Sequence, residues 1–250
     1  HPFNWRGWWE YGTGALGDVG CHLIDIPFRT LGLKYPKSAE CSVGSVFTKM
    51  WNPDYHPEGC PPSSLITLNF DSTEKSKSPI QLTWTDGGIR PPHPDIIPAD
   101  SDIGGQDSQN GVLMIGDKGI ISTNINDSSP LTPKLYLYDG QTEFGPETED
   151  MPEPEYGHQR KWVDACKAGF RSKEHLDLTS SFDYAGPMTE TVLMGNLAIR
   201  SYMLRNEKSN GGFDYYARKK LLWDGDNMKI TNIEEANQFV TREYREGWKI

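Results

Sequence analysis

The chain is short of what several common functions require. Its 250 residues carry 25 Lys or Arg against 35 Asp or Glu, a net charge of −10. The pI is near 5.1. Nucleic acid and anionic membrane surfaces both need a cationic footprint, so neither is an expected partner. No apolar run approaches the ~20 residues of a membrane-spanning helix, and mean hydropathy is −0.64. The four cysteines (Cys21, Cys41, Cys60 and Cys166) lack C-x-x-C spacing, so neither a zinc module nor a dense disulfide framework is indicated. A single Cys41–Cys60 bridge stays open, and cysteine usage leaves the compartment, cytoplasmic or periplasmic, undecided. The opening His1-Pro2-Phe3-Asn4-Trp5 is not a signal peptide. A Trp-dense, structured-looking start reads as the middle of a longer chain.

What is present is concentrated in Trp8-Trp9-Glu10-Tyr11-Gly12-Thr13-Gly14-Ala15-Leu16-Gly17-Asp18-Val19-Gly20-Cys21-His22-Leu23-Ile24-Asp25. Gly12, Gly14 and Gly17 spell G-x-G-x-x-G, the dinucleotide fingerprint, and Glu40 stands at a distance suited to a ribose-binding acid. The context opposes that reading. The fingerprint needs an apolar strand before the glycines and a helix N-terminus free to take a pyrophosphate. Here the preceding residues include no Val, Ile or Leu run, and Glu10 and Asp18 bring negative charge to the turn. The alternative is a glycine turn feeding a helix that carries Asp18, His22 and Asp25 on one face, with neighbours about 5–6 Å apart.

Hydrophobic periodicity predicts a first helix from Ala15 to Gly32, with Gly32 as a left-handed C-terminal cap and a kink at Pro27. Strands are expected at Ala39–Met50, Leu65–Phe70, Ile80–Thr85, Val112–Ile115, Ile120–Asn124, Leu135–Tyr138 and Leu221–Trp223, with a hairpin turn at Asp117-Lys118-Gly119. Helices are expected at Gln159–Ala168, Tyr184–Arg205 (Pro187 in its first turn, Asp183 as N-cap) and Glu234–Arg245. Two long loops, Asn52–Ser64 and Gly87–Gln109, and an acidic stretch, Pro146–Glu155, connect them. Strands joined by short turns indicate an α+β fold: a broad, mostly antiparallel sheet with helices packed on one face, residues 1–250 forming one substrate-binding and oligomerisation domain.

Gly12–Asp25 resembles the helix motif of the glucose–fructose oxidoreductase / inositol dehydrogenase (Gfo/Idh/MocA) family. Asn4-Trp5-Arg6-Gly7-Trp8-Trp9, Trp84-Thr85-Asp86-Gly87-Gly88, Phe182-Asp183-Tyr184-Ala185-Gly186-Pro187 and Arg242-Glu243-Tyr244-Arg245-Glu246-Gly247-Trp248 are similar to one bacterial branch of it. The likeness covers the C-terminal half of that family, whose N-terminal half is an NAD(P)-binding Rossmann domain ending in a Glu-Lys-Pro motif. Neither a strand–glycine–helix unit nor that triplet is found here, so the chain reads as a fragment lacking the Rossmann domain and inactive alone.

The resemblance implies a substrate domain of an NAD(P)-dependent oxidoreductase, with NAD or NADP held mainly by the other half. The substrate it implies is a neutral sugar, polyol or glycoside, and the homo-oligomerisation it implies runs through the open sheet face. It assigns acid–base work to His22 and substrate binding to Asp18; a histidine can take a hydroxyl proton near neutral pH while a carboxylate orients it. Without the resemblance, His22 reads as a helix histidine satisfied by Asp18 or Asp25, and Asp25 reads as structural in either case. Arg6, Trp9 and Tyr11 are candidates to line a sugar pocket, Arg90 and His93 to close over it, and His158 to face it. A metal site from Asp18, His22 and His56 or His158 has compatible spacing but no supporting signature, and no metal is expected. Two other functions stand beside the dehydrogenase: glycoside cleavage through transient oxidation and elimination, and a non-catalytic sugar-binding domain.

Overall fold

The computed structural model describes residues 1–103, 110–125, 133–144 and 156–248. The end of the Gly87–Gln109 loop and the acidic stretch Pro146–Glu155 lie outside the described residues. The fold is α+β, and every strand pairing among the described residues is antiparallel.

The chain divides into two compact units. The first, His1–Pro91 with Met188–Ile250, is built on a five-stranded sheet in the order β11-β10-β1-β2-β3. Its strands are β1 (Ser38–Val43), β2 (Ser64–Phe70), β3 (Ile80–Thr85), β10 (Leu221–Asp224) and β11 (Lys229–Ile230). Alternation along β2 sends Ser64, Ile66, Leu68 and Phe70 to the buried face and leaves Leu65, Thr67 and Asn69 half-buried on the other. The register places Ala39 and Leu82 beside Leu68, and Cys41 and Trp84 beside Ile66, so one apolar face continues across three strands.

The elements packed in this unit include α1 (Gly14–Leu23), α2 (Asp25–Leu31) and, from Met188 onward, α5 (Phe182–Tyr202). Gly195 of α5 makes the close approach: a Cβ there would stand 2.5 Å from Leu16 Cδ2 and 3.4 Å from Ile66 Cγ2. Helix α1 thereby seats Leu16 between α5 and the sheet, and its opposite side, with Asp18 and His22, is exposed.

The second unit, Pro92–Pro187, holds a four-stranded meander of β4 (Asn110–Ile115), β5 (Gly119–Ile125), β6 (Lys134–Leu137) and β7 (Thr142–Phe144). Its core gathers Ile97, Ile103, Ile120 and Tyr136. Helices α3 (Gly157–Ala168) and α4 (Lys173–Leu176) belong to the same unit. A short hairpin, β8 (Asn206–Glu207) with β9 (Phe213–Asp214), follows α5 in the first unit.

Several expected elements differ. The first helix is two: Pro27 has no N–H for the Leu23 carbonyl, and α1 gives way to α2 at Ile24. Gly32 does close α2 in the left-handed region, at φ 63°. β1 stops at Val43 because its partner β2 begins at Ser64, leaving Val46, Phe47 and Met50 without a ladder and exposed. α5 begins at Phe182, so Pro187 lies inside the helix and Asp183 lies in the first turn, where its charge complements the helix dipole. The final helix is only a 3₁₀ segment, Glu234–Phe239. Asn237 in it spends its amide on β11, bonding Ile230 N at 2.7 Å and Ile230 O at 2.9 Å.

Candidate functional site

The residues ahead of the glycine turn form a 3₁₀ helix, Pro2–Gly7, and no strand. This segment is tied to a neighbouring loop: Cys60 N donates to Gly7 O at 2.8 Å, Trp9 N donates to Glu58 O at 3.0 Å, and Trp8 bridges Gly59. The chain then folds back on itself. A Cβ on Gly12 would lie 2.5 Å from Arg6 Cα and 2.9 Å from Arg6 O, and one on Gly17 would collide with the Thr13 side chain. The room that Gly12 and Gly17 make is filled by the chain's own atoms.

That fold-back sets the site geometry. With Gly12 against its backbone, Arg6 reaches α1, and its guanidinium donates to the Asp18 carboxylate. The same guanidinium stands 4.1 Å over the Phe3 ring. His22 follows Asp18 by one helical turn on the same exposed face, and no hydrogen bond or ion pair engages its ring among the described residues. Asp25 pairs with Arg29 at 3.6 Å within α2. Exposed aromatic rings border the Arg6 segment: Trp5 and Tyr11 lie 6.1 Å apart, and Phe3 and Trp8 are also solvent-facing. The result is an oriented carboxylate, an unengaged imidazole and an aromatic shelf, a combination suited to hydroxyl groups with a C–H face.

The remaining candidates are divided between the two units. Trp9 is buried, its carbonyl accepting from Arg242 at 3.0 Å and its ring 5.6 Å from the Arg200 guanidinium. Tyr11 is exposed beside Trp5. Arg90 is exposed at the end of the first unit. His93 and His158 belong to the second unit. The His93 ring nitrogens stand 3.2 Å from Pro94 O and 3.1 Å from Ser101 O, and His158 is exposed in the first turn of α3.

Among the described residues no cluster of three or more His, Cys, Asp or Glu is arranged to hold a metal. His56 instead approaches Glu58 at 3.9 Å. All four cysteines are free thiols. Burial pushes Cys41 up to about 12 and Cys60 up to about 11.

Two polar residues of this region were not named as site candidates from the sequence, although Asp86 stands in a segment that carries the family resemblance. Asp86 accepts from Trp84 Nε1 at 2.8 Å, from Ser64 N at 2.6 Å and from Ser64 Oγ at 2.8 Å, which ties β3 to the start of β2. Its Trp-x-Asp spacing was the available signal. Asn196 is buried in α5, and its signal is one amide inside the apolar run Leu193–Ile199.

No protein-family model matches the chain, and no curated protein matches it.

Proposed function

We propose that this chain is the substrate-binding part of an NAD(P)-dependent oxidoreductase acting on a hydroxyl of a neutral sugar, polyol or glycoside. The observation that carries the reading is the Arg6–Asp18 pair beside the unengaged His22 on the exposed face of α1. In this reading the His22 imidazole takes the proton of the reacting hydroxyl. Asp18, oriented by Arg6, accepts a hydrogen bond from a neighbouring hydroxyl, and the Trp5 and Tyr11 rings pack against the C–H face of the substrate. The bound nicotinamide dinucleotide, presented by a separate domain as the resemblance implies, supplies the hydride acceptor. A fixed carboxylate and a nearby base hold the reacting hydroxyl in one orientation, which lowers the entropic part of the barrier.

The gene product carrying this chain, incubated with a panel of neutral polyols and NAD(P), is expected to form NAD(P)H in proportion to the ketone or aldehyde produced. Release of a free sugar from glycosides without net NAD(P)H would assign the site to glycoside cleavage. Saturable sugar binding with neither product would make it a binding domain. The half-buried sheet face bearing Leu65, Thr67 and Asn69 is the proposed homo-oligomer surface. Light scattering should then give a mass above the 28.2 kDa of one chain, falling to it in Leu65→Lys.

A further inference from the structure

We propose that the small cavity behind the first turn of α1 is a subsite for a neutral vicinal diol, gripped by the Asn196 carboxamide. This rests on the reading of α1 as a polyol-binding face and extends it inward.

The cavity measures about 80 Å³, room for a two-carbon diol edge and too small for a sugar ring. Asn196, only 5% exposed, lines it, and neither Nδ2 nor Oδ1 has a hydrogen-bond partner among the described residues. Buried amides in native proteins are almost always partnered, so a fully unpaired one facing a cavity points to something that enters.

The surroundings select the chemistry. Asp86 is the charged residue of the lining, and both of its oxygens are already occupied by Ser64 and Trp84. The Cys60 thiol stays neutral because burial raises it to about 11. An entering anion would meet Asp86 and Asn196 Oδ1; an ammonium would leave Asn196 Nδ2 unpaired. A carboxamide presents a donor and an acceptor side by side, so one hydroxyl of a vicinal diol accepts from Nδ2 while the next donates to Oδ1. The N–H groups of Gly14, Ala15 and Leu16 have no acceptor within α1 and add donors at the same wall. Trp9 and Ile199 supply apolar surface for the carbon edge. The exposed residues Thr13, Ala15 and Gly87 stand at its mouth. Asn196 Nδ2 is 3.6 Å from where a Cβ on Gly17 would sit, which sets the carboxamide against α1.

The test is a ¹⁵N–¹H NMR titration of the 250-residue chain with glycerol, 1,3-propanediol and myo-inositol, repeated on Asn196→Leu, whose folding is checked by thermal unfolding. Glycerol is expected to shift the Asn196 side-chain amide and the Gly14–Leu16 amides saturably. 1,3-Propanediol should bind about ten-fold more weakly because the extra methylene between its hydroxyls has to be folded into a cavity of about 80 Å³, and Asn196→Leu should abolish the glycerol shifts. Equal shifts by glycerol and 1,3-propanediol in the wild-type chain, or undiminished glycerol shifts in Asn196→Leu, would overturn the subsite. Polyol shifts confined to Arg6, Tyr11 and His22 would also overturn it while leaving the proposed function standing. No shift at either place with any of the three would overturn both.

Discussion

Arg6 and Asp18, twelve residues apart, are paired across the glycine turn, the guanidinium of a 3₁₀ segment held on the carboxylate of a helix. The side chains are 41% and 42% exposed, so solvent screens the pair, and such surface bridges contribute about 0–1 kcal/mol. Its value therefore lies in orientation. Arg6→Ala should leave the urea midpoint nearly unchanged and lower kcat/KM for the polyol by about ten-fold or more in the gene product carrying this chain. Arg6→Lys should recover little, because a point charge cannot reproduce the planar fork. A large loss of stability with unchanged kcat/KM would make the pair structural.

His22 allows the same separation of effects. It is exposed and engages no partner among the described residues, so His22→Ala should change unfolding free energy by less than about 0.5 kcal/mol. Loss of a general base should lower kcat by about 10²–10⁴-fold while dinucleotide affinity stays constant. Turnover at the wild-type rate would remove His22 from the chemistry.

What the sequence made legible follows the range of each signal. Alternation in Leu65–Phe70 and Ile80–Thr85 is local and strong, and both strands lie within one residue of expectation. The i, i+4 spacing of Asp18 and His22 depends only on a helix being present, and α1 supplies it. The end of β1 depends on where a distant partner begins, and the missing last helix depends on Asn237 being claimed by β11; neither is encoded nearby. The burial of Trp9 was hidden for the same reason, since Arg242 and Arg200 reach it from the far end of the chain. Asn196 was readable only as an oddity in an apolar run, because the cavity it faces is assembled from four separate segments.

Gly12 and Gly7 form a matched pair for testing why the turn is glycine-rich. A Cβ on Gly12 would press on the Arg6 backbone, whereas one on Gly7 meets nothing within 4 Å. Gly12→Ala should cost about 1–3 kcal/mol, as overpacking against immovable atoms does. It should also weaken polyol binding by displacing Arg6. Gly7→Ala should be nearly neutral in both respects. If Gly12→Ala were as stable as wild type but bound dinucleotide less well, the glycines would be serving a phosphate after all.

The half-buried thiols of Cys41 and Cys60 give a prediction whose sign is fixed. Cys41 is raised to about 12 and Cys60 to about 11 from an ordinary value of 9.0, chiefly by desolvation. The folded chain therefore holds these protons more tightly than the unfolded chain does. The stability this represents is complete below pH 9, where both states are protonated, and is lost as pH rises from 9 through the folded values. Urea midpoints at about pH 8 and about pH 10.5 should show a smaller drop for the Cys41→Ala/Cys60→Ala double variant than for wild type. At the lower pH, iodoacetamide should label the exposed Cys21 and Cys166 well before Cys41 and Cys60. Labelling of Cys60 as fast as Cys21 would mean that its wall of the Asn196 cavity is open to solvent and to a free thiolate. An undiminished alkaline drop in the double variant would assign that drop to other groups.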